Sequence, residues 1–252
     1  MNSPSHTQAE PRPHLARRLA AEFLGTGMLL AVVVGSGIAA AQLSPNDVGL
    51  QLLENSLATA LGLAVLILML GPVSGAHFNP VVTIVDWLIG ARSSAGLPGR
   101  DVLPYVAAQL SGGTAGTILA NVMFDVPTTL STTERSGLGH LVAEVVATGG
   151  LVLLIFALAR TGRGAATAAA VGAYIGAAYW FTSSTSFANP AVTIARMFSD
   201  TFAGIQPASV PGYVIAQVIG GALGLAAVLV LYPLARSRTD ADPHRLQLER
   251  TP

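Results

Sequence analysis

Long apolar runs, separated by short polar breaks, set the pattern of the chain. Residues 55–85, 102–124, 164–195 and 201–235 contain no Asp, Glu, Lys or Arg. A helix needs about 20 mostly apolar residues to cross the hydrocarbon core of a bilayer. With turn signals at Ser44-Pro45-Asn46-Asp47, Asp125-Val126-Pro127, Arg160-Thr161-Gly162-Arg163 and Pro233, the pattern predicts six spanning helices. They fall at about 19–41, 50–70, 103–124, 138–159, 164–183 and 211–234. Two apolar pieces, about 78–90 and 188–199, are too short to span.

The pattern occurs twice. Ala21-Glu22-Phe23-Leu24-Gly25-Thr26-Gly27 matches Ala143-Glu144-Val145-Val146-Ala147-Thr148-Gly149. Asn79-Pro80-Val81-Val82-Thr83-Ile84 matches Asn189-Pro190-Ala191-Val192-Thr193-Ile194, and Tyr105 to Gln109 with Gly112-Gly113 matches Tyr213 to Gln217 with Gly220-Gly221. Three matches in one order divide the chain into repeats of three spans and one short piece, at about 15–124 and 138–238. Three is odd, so the second repeat is inverted, which places a transport site at the bilayer midplane. Arg12, Arg17 and Arg18 before an apolar stretch ending Ala39-Ala40-Ala41 also resemble a cleaved signal peptide, but the repeat makes 19–41 a structural span.

Composition narrows the class. Of 252 residues, 52% are hydrophobic and only 10% charged, with mean hydropathy +0.59; a soluble domain is about 25% charged. The expected fold class is therefore an all-α membrane protein. The thirteen basic residues, all arginine, balance thirteen acids, which argues against a nucleic-acid partner. Absence of cysteine rules out disulfides and thiolate metal sites. With the N-terminus in the cytoplasm, only Arg135 and Arg196 of the thirteen lie outside, so the positive-inside rule puts both termini in the cytoplasm of an inner-membrane protein. Polar tails at 1–14 and 239–252 are expected to be disordered, leaving 15–238 as the membrane domain.

Each short piece opens on Asn-Pro. Proline suits the first turn of a helix, and asparagine caps its free amides. Asn79 and Asn189 are thus expected to cap two half-helices. The segments before them, 71–76 and 182–186, are small and polar, and irregular backbone is tolerated in a membrane only where protein buries it or it lines water. Inverted symmetry makes the half-helices meet N-terminus to N-terminus at the midplane. There their dipoles repel cations and the asparagine amides donate to passing oxygens.

On these residues the chain resembles the aquaporin, or major intrinsic protein, family over about 19–234. Ser74-Gly75-Ala76-His77-Phe78-Asn79-Pro80-Val81 resembles its first signature, with Val81 where alanine is usual, and Asn189-Pro190-Ala191 is the second signature intact. The resemblance implies six spans, two re-entrant half-helices and homotetramers with one pore per subunit. It places Asn79, Pro80, Val81, Asn189, Pro190 and Ala191 at the pore midplane. It implies that Glu22 and Glu144 support the re-entrant loops through backbone hydrogen bonds, the competing reading being a proton relay. His77 would pack at the cytoplasmic vestibule; no ligand cluster surrounds it, so no metal and no cofactor are expected.

The family also implies a four-residue filter on the outer side. Counting from the signatures assigns Thr59, Ala177, Ser186 and Val192, with Val192 where an arginine is usual and Ser186 offering mainly its carbonyl. These small residues suggest a widened, less polar constriction that admits glycerol, urea and neutral metalloid hydroxides such as undissociated arsenous acid. The Asn-Pro-Ala-Val-Thr-Ile-Ala-Arg run resembles bacterial members associated with arsenic-resistance genes. Arg196, one turn beyond Val192, could return charge to the outer vestibule or merely cap its half-helix. The expected function is a passive channel for small neutral solutes. The alternatives are a water-selective channel, a secondary transporter, disfavoured because only His77 titrates near neutral pH in 55–85 and 164–195, and a junction protein with a closed pore. Nothing suggests an enzyme: no acid–base or metal constellation is present. Glycine-rich faces at Gly112, Gly113 and Gly116, and at Gly220, Gly221 and Gly224, permit close packing within or between subunits.

Overall fold

The computed structural model describes residues 12–91 and 96–233. Most of the tails expected to be disordered, and residues 234–238 of the expected membrane domain, lie outside the described residues. Eight α-helices follow in order: α1 Leu15–Leu43, α2 Val48–Ser74, α3 Pro80–Gly90, α4 Gly99–Met123, α5 Leu138–Arg160, α6 Thr167–Phe181, α7 Pro190–Ala195 and α8 Val210–Leu231. The described residues contain no strand. Their order reproduces the repeat, α1–α4 against α5–α8, with α3 and α7 as the half-helices.

Local chemistry sets the ends. Asp47 caps α2 by accepting from the Leu50 N–H at 2.9 Å, and Gly75 closes it in the left-handed region at φ 92°. Asn79 and Asn189 cap α3 and α7, each followed by proline at the first helical position. Helices α1, α2, α5 and the 207–231 segment are long and apolar enough to cross a membrane by themselves. The other two spans are weaker for distinct reasons. Helix α4 is interrupted by Arg100, Asp101, Gln109, Ser111 and Asn121. Helix α6 has 15 residues, about 22 Å at ~1.5 Å per residue, because the chain leaves the helix at Thr182 for the extended leg that feeds α7.

The surface is apolar where lipid would touch it: Leu57, Leu61, Val65 and Leu68 of α2 and Ile215, Leu223 and Val230 of α8 are exposed. Charge goes inward, with Glu22, Glu144, Asp101 and Arg196 all buried. The glycine faces are now placed. A methyl group on Gly112 or Gly116 of α4 would strike the Phe23 or Gly27 carbonyl of α1, and one on Gly220 or Gly224 of α8 would strike the Val145 or Gly149 carbonyl of α5. These glycines seat two symmetry-related helix pairs inside one chain. Gly113 and Gly221 instead face the half-helices, meeting Ala195 and Val81.

Candidate functional site

Two extended legs lead into the half-helices, and both are strained. Ala76 and Phe78 have φ of 49° and 47°, and Thr185, Ser186 and Ala188 have φ of 59°, 51° and 49°. Such left-handed residues cost of order 1–3 kcal/mol each and persist only where their surroundings hold them. A glutamate holds each leg. Glu22 accepts from the Ser74 hydroxyl (2.7 Å), the His77 N–H (3.0 Å), the Phe78 N–H (2.8 Å) and the Gln109 amide (2.7 Å). Glu144 accepts from the Ser184 hydroxyl (2.6 Å), the Phe187 N–H (2.9 Å), the Ala188 N–H (2.8 Å) and the Gln217 amide (2.6 Å). Four donors each satisfy both fully buried carboxylates, as a buried charge requires. Neither carboxylate lines the cavity, so this geometry offers no proton path through them.

A second layer locks the half-helices. Gln109 and Gln217 also donate to Thr83 and Thr193 (2.9 and 2.8 Å), whose hydroxyls donate to the Asn79 and Asn189 carbonyls, both at 2.9 Å. These four residues lie inside the repeated strings, so a polar residue recurring in an otherwise apolar match was the signal for them. Ser74 and Ser184 complete the set.

The asparagines face each other across the repeats. Asn79 Oδ1 accepts from the Val81 N–H at 2.9 Å, and Asn189 Oδ1 accepts from the Ala191 and Val192 N–H groups at 2.9 and 3.3 Å. The caps therefore fix each amide nitrogen as the donor end. Asn79 Nδ2 donates to the Ala188 carbonyl at 2.8 Å and Asn189 Nδ2 to the Phe78 carbonyl at 2.7 Å. An amide nitrogen carries two hydrogens, so one on each asparagine is left for the lumen. The leg amides bind the glutamates, and the carbonyls of Ala76, His77, Ser186 and Phe187 accept from no protein donor among the described residues.

One cavity of about 270 Å³ passes both asparagines. His77 and Asp86 line one end; Thr59, Tyr179, Ser186, Val192 and Arg196 line the other. Between them Leu29, Val33, Leu63, Leu151, Val171 and Ile175 form an apolar wall opposite the legs. Among the described residues no cluster could hold a metal ion.

Several sequence-based placements need correction. Pro80, Val81, Pro190 and Ala191 do not line the cavity; they are buried behind it. The first residues of each half-helix turn their side chains toward the flanking spans. Val81 fits because Gly221 of α8 leaves room for its methyl group. Gly221→Ala is expected to cost about 1–3 kcal/mol by overpacking. The added change Val81→Ala should return most of the loss, read as thermal midpoints of detergent-solubilised protein. A double variant no more stable than the single would break this pairing.

Ala177 is also displaced. It is exposed on the outer face of α6, and Tyr179 takes the lining position, its hydroxyl 3.1 Å from Thr59 Oγ1. Val171, Ile175 and Tyr179 repeat at i, i+4 and so share one face, while position 177 lies about 200° round from 175. A gap-free count from Asn189 fails because α6 is short. That part of the cavity accordingly carries a larger and more polar side chain than small residues alone suggest. The hydroxyl of Ser186 is buried without a protein partner among the described residues.

The two ends differ in charge. At one, His77 Nδ1 lies 3.2 Å from Thr83 Oγ1. That hydroxyl spends its hydrogen on the Asn79 carbonyl, so Nδ1 is assigned as the donor. His77 Nε2 lies 3.8 Å from Asp86 Oδ2, and that oxygen accepts from the Leu97 N–H at 2.7 Å. At the other end stands Arg196, seven residues after its asparagine as Asp86 is after Asn79. It is 2% exposed, its Cζ lies 3.6 Å from the Phe187 ring centroid, and its Nε donates to the Ala203 carbonyl. The bond goes to the next loop and away from the carbonyls of α7, unlike a simple helix cap.

A residue not foreseen as part of the site joins it. Arg135, from the connection between α4 and α5, puts its Cζ 5.2 Å from the same ring. It donates to the Gly204 and Phe202 carbonyls at 2.8 and 3.1 Å. Burial pulls its guanidinium below the ordinary arginine value, opposed by Tyr213, Tyr179 and Glu144. Ser131 N–H to Met197 carbonyl and Gln206 N–H to Thr133 carbonyl, both 2.8 Å, tie the two loops together. No sequence pattern links Arg135 to Phe187; only the folded loops do.

Comparison with known proteins accords with this geometry. The profile described as "Major intrinsic protein" matches residues 11–186. The aquaglyceroporin AqpS of Rhizobium meliloti is 50% identical over 88% of this chain and 93% of its own length. A probable aquaporin AqpM of Archaeoglobus fulgidus is 32% identical over 82% of this chain and 93% of its own. The solved aquaglyceroporin of Plasmodium falciparum superposes with a TM-score of 0.66, covering 88% of this chain and all of that one at 21% identity, a likeness of fold. A family match over residues 11–186, a relative at half identity over most of both chains and two glutamate-braced half-helices meeting at paired asparagines lead to one assignment: the chain belongs to the major intrinsic protein family.

Proposed function

We propose that this chain is a passive channel for small uncharged solutes, with glycerol as the reference substrate and urea and undissociated arsenous acid within its range. The observation that carries the reading is the cavity that passes both Asn79 and Asn189, lined by Thr59, Tyr179 and Val192 with no arginine at 192. Its chemistry suits a polyol. An aliphatic wall faces the carbon chain, while the free carbonyls and the spare asparagine hydrogens face the hydroxyls. The aquaglyceroporin name of the 50% identical relative supports the same class. Membership of this channel family makes the chain no enzyme. We infer an inner-membrane homotetramer with cytoplasmic termini, the Arg196 end opening outward, on the distribution of arginines and the family resemblance. Purified protein in liposomes should accelerate glycerol-driven swelling at least tenfold over empty liposomes, at a rate independent of ion gradients. Water-driven shrinkage without glycerol entry would favour a water-selective channel instead.

A further inference from the structure

We propose that Arg135 and Arg196, gathered on Phe187, form a composite cation barrier at the outer end of the pore, doing there what an arginine at position 192 would otherwise do. The inference rests on the channel reading above. Arg196 lines the cavity and is buried, and Arg135 reaches the same ring from a different loop. Three consecutive carbonyls, of Phe202, Ala203 and Gly204, hold both guanidinium groups in place. Such bonds orient a guanidinium without neutralising it. Among the described residues neither arginine lies within ion-pair distance of a carboxylate. The one carboxylate that acts on both from further off, Glu144, is already bound to four donors.

Arg196 therefore sets an uncompensated positive charge at the lumen wall, with that of Arg135 held beside the same Phe187 ring, and at low dielectric the field of both is screened little. The pore needs them. Helix α7 has only six α-helical residues, so its dipole is weak, and Val192 contributes no charge. Arginine also keeps its proton at any physiological pH, so the barrier does not titrate. The end opposite carries Asp86, a negative charge that cannot repel cations.

The test compares proteoliposomes of wild type, Arg135→Gln, Arg196→Gln and the double variant. Each preparation is read for glycerol swelling and for proton and potassium leak with pH- and potential-sensitive dyes. The ratio of cation leak to glycerol flux should rise at least tenfold in the double variant and by less in each single. Lysine at both positions should hold the wild-type ratio, and Val192→Arg added to the double glutamine variant should bring the cation leak itself, read apart from glycerol flux, back down. A double variant with a ratio within twofold of wild type overturns the proposal. If variants at Arg196 fail to fold, Arg135→Gln decides alone: its loop position spares the half-helix, and an unchanged ratio overturns the shared barrier. Absence of glycerol flux in wild type would instead overturn the channel reading, so the two failures are distinguishable.

Discussion

Glu144→Gln is expected to cost about 2–5 kcal/mol of stability and to lower solute flux more than tenfold. Oε1 serves the Ser184 hydroxyl and the Phe187 N–H, and Oε2 serves the Ala188 N–H and the Gln217 amide. A glutamine has one acceptor oxygen. Whichever way its amide turns, either the Phe187 or the Ala188 N–H loses its acceptor inside the protein. A buried donor left unsatisfied costs about 1–3 kcal/mol, and more where the lost partner was charged. The leg it holds contains three left-handed residues that would relax toward ordinary backbone, carrying Asn189 out of register. Glu22→Gln should behave alike, because its donor set is the symmetric one. Thermal unfolding in detergent measures the first effect and stopped-flow swelling the second. A glutamine variant with the wild-type midpoint and flux would remove the glutamates from the account of the pore.

Val192→Arg should reduce glycerol flux at least tenfold while leaving water flux measurable. Val192 lines the same cavity as Thr59 and Tyr179, whose hydroxyls pair at 3.1 Å. A guanidinium there fills space a glycerol carbon must use and adds donors that favour a single small oxygen. It also stands one turn from Arg196, so like-charge repulsion adds to the strain. Swelling assays on glycerol, urea and water separate size from polarity. Undiminished glycerol entry in a well-folded variant would show that the constriction lies elsewhere and would undo the assignment of Thr59, Tyr179 and Val192.

Much of this fold is legible in the sequence because membrane helices leave long uncharged runs, and because proline after asparagine has one good position in a helix. The repeat was legible for the same reason that it matters: Glu22 and Glu144, or Asn79 and Asn189, make the same bonds twice. What stayed hidden was which face of a span looks into the pore. In water a helix marks its buried face by apolarity, but residues 60–70 of α2 and most of α6 are apolar all round, since lipid and protein reward the same residues. Hence Ala177 looked equivalent to Tyr179 until the shortened α6 set the register. Arg135 was hidden differently. In sequence it is an ordinary loop cation, and its meaning comes from the ties between residues 131–133 and the 197–206 loop.

The crossed bonds of the two asparagines have a consequence for assembly. Asn79 needs the carbonyl of Ala188, and Asn189 that of Phe78, partners 109 and 111 residues apart. At about 5–20 residues per second, a ribosome needs roughly 5–20 s to make that intervening stretch. During that interval the first leg can dock on Glu22 and Gln109, both supplied by its own half, but it lacks its midplane partner. Each half is thus able to insert and brace itself as synthesis proceeds. The lumen takes its final shape only when the second leg arrives, because each asparagine's midplane acceptor belongs to the other half.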